Sequence, residues 1–129
     1  MGLREQFLAG LARQLGHPRG LSGRLIGAGL NRGNRDTIAA AVDALSLTPR
    51  AAAIDVGFGG GVGLGLLLAA VGESGQVHGV EVSATMHASA TRRFRHHICV
   101  GRLHLHRASM TDLPLPEDSV DGLLTVNTI

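Results

Sequence analysis

The sequence predicts an α/β fold, a doubly wound parallel sheet preceded by a helical cover. From residue 51 onward, apolar runs of strand length alternate with stretches of helix length, and a glycine-rich segment follows the first of these strands. Strands that alternate with helices form a parallel sheet with right-handed crossovers. A chain of 129 residues is long enough for one domain with its own core. We expect the cover over residues 1–49 and the sheet domain over residues 50–129.

Three helices are predicted in the cover. Apolar residues at helical spacing indicate the first over Leu3–Leu15, and several glycines bound a short helix within Arg19–Gly33. The third begins at Asn34 or Asp36, either of which could cap it, and ends before Pro49. The apolar face of the first helix fits a lid over a ligand in the sheet domain better than contact with a membrane surface.

The sheet domain is predicted as four strands with two helices between them. A buried parallel strand reads as a short, continuous apolar run, and an alternating run indicates a half-buried strand. The predicted elements are, in order, strand Ala51–Val56, helix Val62–Val71, strand Gln76–Val82, helix Ser83–Ile98, strand Leu103–Arg107 and strand Val120–Val126. Ser83 is expected to cap the second of these helices. The residues expected to face inward from it are Met86, Ala90, Phe94 and Ile98.

The sequence stops at Ile129, just after the fourth predicted strand. A complete doubly wound domain continues with further helices and strands, so we expect this chain to be the front part of a larger domain. The fourth strand would then present an open edge, at which a homodimer could pair.

Composition excludes several classes of chemistry. All 12 basic residues are arginine, which rules out a lysine Schiff base and a P-loop lysine. Aromatic residues make up only 2%, so nucleic acid is not an expected partner. The one cysteine, Cys99, is expected to be buried and fits a cytoplasmic location. No apolar run reaches the ~20 residues of a membrane span, so membrane insertion is not expected.

The histidines do not predict a metal site. His104 and His106 share one face of a predicted strand, but no third ligand can be identified. The basic run from Arg92 to His97 would spread over more than one helix face, which is typical of a solvated surface.

The strongest signal is the glycine-rich segment after the first strand of the sheet domain. Asp55 is followed by Gly57, Gly59 and Gly61, and Glu81 ends the next strand. Glycines let a ligand approach the backbone, and a strand-end carboxylate can accept hydrogen bonds from a ribose diol. The glycine spacing does not fit the dinucleotide fingerprint, which disfavours a nucleotide-dependent oxidoreductase. Asp55 would repel a pyrophosphate but suits the cationic amino-acid part of a sulfonium cofactor.

From about residue 50 to its end, the chain resembles class I S-adenosylmethionine-dependent methyltransferases, of the methyltransferase domain 11 or ubiquinone/menaquinone-type small-molecule family. The segment from Asp55 to Gly61 matches the family's first motif, Glu81 matches its ribose-binding position, and Ser109–Asp121 is similar to its adenine-side loop. The cofactor-binding residues that the resemblance implies are Asp55, Gly57, Phe58, Gly59, Gly61, Glu81, Val82, Met86, Ser109, Met110 and Asn127.

The resemblance implies a Rossmann-like methyltransferase fold, C-terminally incomplete, and transfer of a methyl group to an O, N or C nucleophile of a small molecule. Ser109 stands where the family often has an acidic residue, and Met86 fits either an adenine contact or the core. Asn127 and Thr128 are candidates for orienting the acceptor. The alternative is a truncated, non-catalytic methyltransferase fragment or binding module.

Overall fold

In the computed structural model, which describes residues 25–28, 35–109 and 120–126, a parallel sheet is flanked by helices. This arrangement confirms the predicted α/β fold. The strands are β1 (Leu25–Ala28), β2 (Ala52–Val56), β3 (Gln76–Val80), β4 (Leu103–His106) and β5 (Gly122–Val126), and the helices are α1 (Arg35–Ala44), α2 (Val62–Val71), α3 (Ala84–Arg93) and α4 (Arg95–Cys99).

The described strands pair in the order β1-β5-β2-β3-β4, and all four pairings are parallel. From β2 the chain proceeds outward through β3 to β4, and β5 then returns to the other side of β2. The direction of winding therefore reverses between β2 and β5. In open α/β sheets, ligands bind beyond the carboxyl ends of the strands at such a reversal.

Strand β1 corrects one prediction. A short helix was expected within Arg19–Gly33, whereas Leu25–Ala28 forms a strand whose Leu25 pairs with Leu123 of β5. An apolar run of four residues is too short for its periodicity to distinguish a helix from a strand. Pairing with a strand far along the chain therefore determines its secondary structure. The helix predicted over Leu3–Leu15 lies outside the described residues, and the division of the chain at residue 49 stays a prediction.

Strand β5 also corrects the expectation of an open edge. It pairs with β1 on one side and with β2 on the other, so the described edge strands are β1 and β4. The reason for expecting a homodimer at the fourth predicted strand is thereby removed.

The main hydrophobic core lies between the sheet and helices α1 and α2. Ile38 and Val42 of α1 are buried, as their spacing predicts, and α2 is apolar on all sides and contributes Leu64 and Leu67. Helix α2 lies close to β3 because of Gly79, where a Cβ atom would be 2.9 Å from each of three side chains. Core packing thus fixes the N-terminus of α2 against the carboxyl end of the sheet.

The helix predicted over Ser83–Ile98 is divided into α3 and α4 at Phe94, whose φ is −107°. The predicted cap is confirmed, since Ser83 Oγ accepts a hydrogen bond from Met86 N at 3.2 Å. The inward stripe was wrong at its first position, because Met86 is 40% exposed. Burial of Cys99 was also wrong, since Cys99 lies exposed at the end of the short α4.

Candidate cofactor-binding site

The carboxyl ends of β2, β3 and β4 lie side by side and carry most of the predicted site residues. Gly57 N, just after β2, donates to Val80 O at 2.7 Å, and Glu81 N, just after β3, donates to His106 O at 3.1 Å. These bonds extend the sheet pairing by one residue and fix the start of each loop. The glycine loop, residues 57–61, therefore leaves the sheet beside Glu81.

The glycine loop has a backbone that requires glycine at three positions. Gly57, Gly59 and Gly61 have φ angles of 73°, 53° and 89°, in the left-handed region that other residues rarely adopt. A Cβ atom on Gly59 or Gly60 would meet no atom within 4 Å among the described residues. Among the described residues, the tip of the loop is thus open to a ligand at the level of its backbone, next to the N-terminus of α2.

Glu81 connects the glycine loop to the turn before α3. Its Oε1 accepts a hydrogen bond from Gly59 N and its Oε2 accepts one from Ser83 N, both at 2.9 Å. The sequence predicts ribose binding by Glu81 but does not predict that Glu81 connects the loop and the turn. An ionised carboxylate offers about four acceptor positions, so both roles are compatible.

Asp55 is a buried carboxylate at the end of β2. Its side chain is 2% exposed, and among the described residues its Oδ1 has no hydrogen-bond partner. Burial, followed by the negative charge of Glu81, raises the pKa of Asp55 from 3.8 to about 7. A buried polar atom without a partner is costly, and a cationic or hydrogen-bonding group of a ligand would remove that cost.

The remaining predicted residues separate into four groups. Phe58 has its side chain in the core, so only its backbone can face a ligand. Val82 and Met86 are 67% and 40% exposed and flank Ser83, which gives an apolar surface beside Glu81. Ser109 is exposed beyond the end of β4. Met110, Asn127 and Thr128 lie outside the described residues.

One residue of the site was missed. Arg93 of α3 donates from Nη1 to Gly60 O at 3.0 Å, across 33 positions of the sequence. Arg93 had been assigned to a solvated surface, and it is in fact exposed, but its head group contacts the glycine loop. No local pattern signals such a contact, because it depends on where the end of α3 lies relative to the glycine loop.

Two further features of the described residues bear on function. Among residues 35–109 and 120–126, no group of three or more histidine, cysteine or acidic side chains converges as metal ligands would. His78 stacks on His104 and His106 with ring centroids 4.9 and 5.6 Å away, so the rings lie side by side. No helix in the described part of the chain has the length and apolarity needed to cross a membrane.

The open parallel sheet, the glycine loop after β2 and the carboxylate after β3 define a class I methyltransferase domain. The sequence model of the Methyltransferase domain family matches residues 53–129, more than half of the chain, and the chain belongs to this family. Membership of this family implies S-adenosylmethionine as the cofactor. Within the described part of the chain, Asp55, whose Oδ1 has no hydrogen-bond partner there, and the glycine loop, whose tip no side chain fills, fit that group.

Solved structures share the fold. A SAM-dependent methyltransferase from Aquifex aeolicus superposes with a TM-score of 0.59 at 20% identity, over 74% of this chain and 56% of that one. The YcgJ protein from Bacillus subtilis superposes with a TM-score of 0.62 at 17% identity, over 71% of this chain and 38% of that one. The chain thus spans little more than half the length of the first and less of the second. No curated protein sequence matches the chain significantly.

Proposed function

We propose that this chain binds S-adenosylmethionine at the glycine loop and belongs to an enzyme that methylates an O, N or C nucleophile of a small molecule. The observation that carries the proposal is that Asp55, at the end of β2, and Glu81, after β3, both adjoin a glycine loop whose tip no described residue fills. Family membership supports the reaction class. The small-molecule acceptor is supported by the resemblance alone.

Different residues are proposed to bind different parts of the cofactor. Ionised Asp55 would attract the ammonium group of the amino-acid part, directly or through water. The unused acceptor positions of Glu81 would bind the ribose hydroxyls, and Val82 and Met86 would cover one face of the adenine with apolar surface. Ser109, Met110 and Asn127 complete the proposed set. When bound, the cofactor supplies an electrophilic methyl group on a sulfonium centre.

Alignment of the two reactants can supply most of the rate enhancement in a displacement at a methyl carbon. We therefore propose no catalytic base among the described residues. Asn127 and Thr128, which follow β5 on the sequence, are proposed to orient the acceptor. A cytoplasmic location, inferred from the single cysteine, stays part of the proposal.

The test is calorimetric titration with S-adenosylhomocysteine at pH 8, where Asp55 is mostly ionised, with NADH as the competing ligand. We expect saturable binding of the former alone. Asp55→Asn and Glu81→Gln keep the side-chain shape and should each weaken binding about tenfold or more, as loss of a charge-assisted hydrogen bond predicts. Glu73→Gln is the matched control, because Glu73 is exposed in the turn after α2, away from the loop.

Two results would overturn the proposal. Preference for NADH would favour a nucleotide-dependent oxidoreductase. Absence of any binding by a folded sample, shown by a cooperative melting transition, would identify a binding-deficient fragment.

A further inference from the structure

We infer that Arg93 is a positioning residue that holds the glycine loop in its ligand-binding shape. The inferred effect of Arg93 on ligand affinity rests on the proposed function, whereas its effect on the order of the glycine loop does not. The inference starts from the contact between Arg93 Nη1 and Gly60 O at 3.0 Å, which joins the end of α3 to the loop.

Arg93 and its neighbour Phe94 contact the same stretch of backbone. The guanidinium carbon of Arg93 lies 5.1 Å from the centroid of the Phe94 ring. A Cβ atom on Gly61 would be 3.1 Å from Phe94 Cε2 and 3.7 Å from Arg93 Nη1. The guanidinium therefore contacts both the aromatic ring and the loop, which limits the conformations open to its long side chain.

The hydrogen bond fixes one peptide plane of the loop. Because a trans peptide is planar, holding the Gly60 carbonyl also directs the N–H of Gly61 to the opposite side. That N–H donates to Phe58 O at 2.9 Å and closes the turn over residues 58–61. Arg93 on one side and the Phe58 carbonyl on the other thus restrain the same peptide group.

The loop needs such restraint because glycine loses more backbone freedom on ordering than other residues do. Glu81 holds Gly59 N from inside the site, and Arg93 holds Gly60 O from the side of α3. A loop ordered before the ligand arrives does not have to be ordered on binding, so affinity rises without a direct contact. Arg93 acts through the loop, and we assign it no contact with the cofactor.

Arg92 provides a matched control. It precedes Arg93 on α3, is exposed, and its side chain makes no hydrogen bond to any residue in the described ranges. Arg92→Ala and Arg93→Ala remove the same side chain and the same charge from neighbouring positions. Arg93→Gln removes the charge but keeps an N–H donor, and Arg93→Lys keeps the charge and a donor.

The experiment combines two measurements. Amide hydrogen exchange of Gly61 in the ligand-free protein reports the loop, and calorimetry with S-adenosylhomocysteine reports affinity. For Arg93→Ala we expect about fivefold faster exchange of Gly61 and about fivefold weaker binding, as loss of one hydrogen bond predicts. The Arg93→Lys variant should recover part of both effects. For Arg92→Ala we expect neither change.

The outcomes separate the two proposals. Unchanged exchange in Arg93→Ala, or an equal effect in Arg92→Ala, would overturn the positioning role. A uniform rise in exchange over the β2 and β3 amides of Arg93→Ala, with no recovery in Arg93→Lys, would show general destabilisation and also overturn it. If the wild-type chain binds no S-adenosylhomocysteine, the proposed function fails, while exchange of Gly61 still decides the role of Arg93.

Discussion

Asp55 shows how much a single residue's environment can change its chemistry. Burial and the charge of Glu81 raise its pKa to about 7, so near neutral pH a large share of the free protein carries a protonated Asp55. A cationic group bound beside Asp55 would favour the ionised form and lower this pKa. Occupation of the site and loss of a proton are therefore linked.

We predict that binding of S-adenosylhomocysteine at pH 7 releases a fraction of a proton. Titrations in buffers with different ionisation enthalpies would measure it, because the observed heat then varies with the buffer. The release should be smaller at pH 8, where Asp55 is mostly ionised and the ligand's amine is still mostly protonated, and should be absent in Asp55→Asn. Proton uptake by the wild-type protein would contradict the assignment of Asp55 to the cationic group.

At the scale of elements, two glycines of α2 make a sharp comparison. A Cβ atom on Gly63 would collide with Asp55 Oδ2 and lie 2.8 Å from Leu124 Cδ2, whereas on Gly65 the nearest atom would be Phe94 Cε1 at 3.8 Å. We predict that Gly63→Ala lowers the free energy of unfolding by about 1–3 kcal/mol through overpacking. Gly65→Ala should raise it by up to about 1 kcal/mol through helix propensity.

Chemical denaturation of the two glycine variants measures both effects. Equal effects of the two substitutions would contradict the close packing of α2 on β2. Ligand titration adds a second comparison, since only Gly63→Ala displaces Asp55.

Arg102 stabilises the other end of α2. One of its nitrogens, Nη2, donates to Leu68 O and to Gly72 O, both at 2.8 Å, at the end of the helix, where intrahelical donors run out. We predict that Arg102→Ala lowers the free energy of unfolding by about 1.5–3 kcal/mol, the range for hydrogen bonds to a charged group. Denaturant unfolding checks it, with exposed Arg107→Ala as the control.

The histidines of β3 and β4 make the pairing of these strands sensitive to acid. Burial, then the charges of His104 and His106, lower the pKa of His78 from 6.5 to about 4. The unfolded chain therefore binds more protons between these values, so the stability that His78 contributes is present above pH 6.5 and is lost as pH falls through 4. His78 Nδ1 and His106 Nε2 are hydrogen-bonded at 3.3 Å. If both rings were protonated, their positive charges would therefore lie close together.

We predict that the melting temperature of the wild-type chain falls between pH 7 and pH 4.5 and that this fall is smaller in His78→Asn. Scanning calorimetry over that range measures it. Exposed His96→Asn on α4 is the control and should follow the wild type. Parallel curves for all three proteins would show that His78 does not cause the acid sensitivity.

For the whole molecule, sequence patterns predicted those parts of the fold that depend on interactions between neighbouring residues. The bounds of α2 agree with the prediction because glycines precede and follow an unbroken apolar run. The position of Asp55 followed from the strand and the glycines next to it. Strand β1 and the contact of Arg93 with Gly60 depend on partners far along the chain, and no pattern in either segment encodes the partner.

The position of β5 between β1 and β2 determines when the sheet can be completed. A ribosome releases the chain from its N-terminus, so the residues of β2 and β3 emerge from the exit tunnel before those of β5. Until residues 122–126 emerge, β1 lacks its only described partner and β2 has one bare edge. Contacts between segments so distant along the chain slow folding, and a bare edge invites pairing with other chains. The nascent protein is therefore most exposed to aggregation just before β5, an interior strand of the described sheet, arrives.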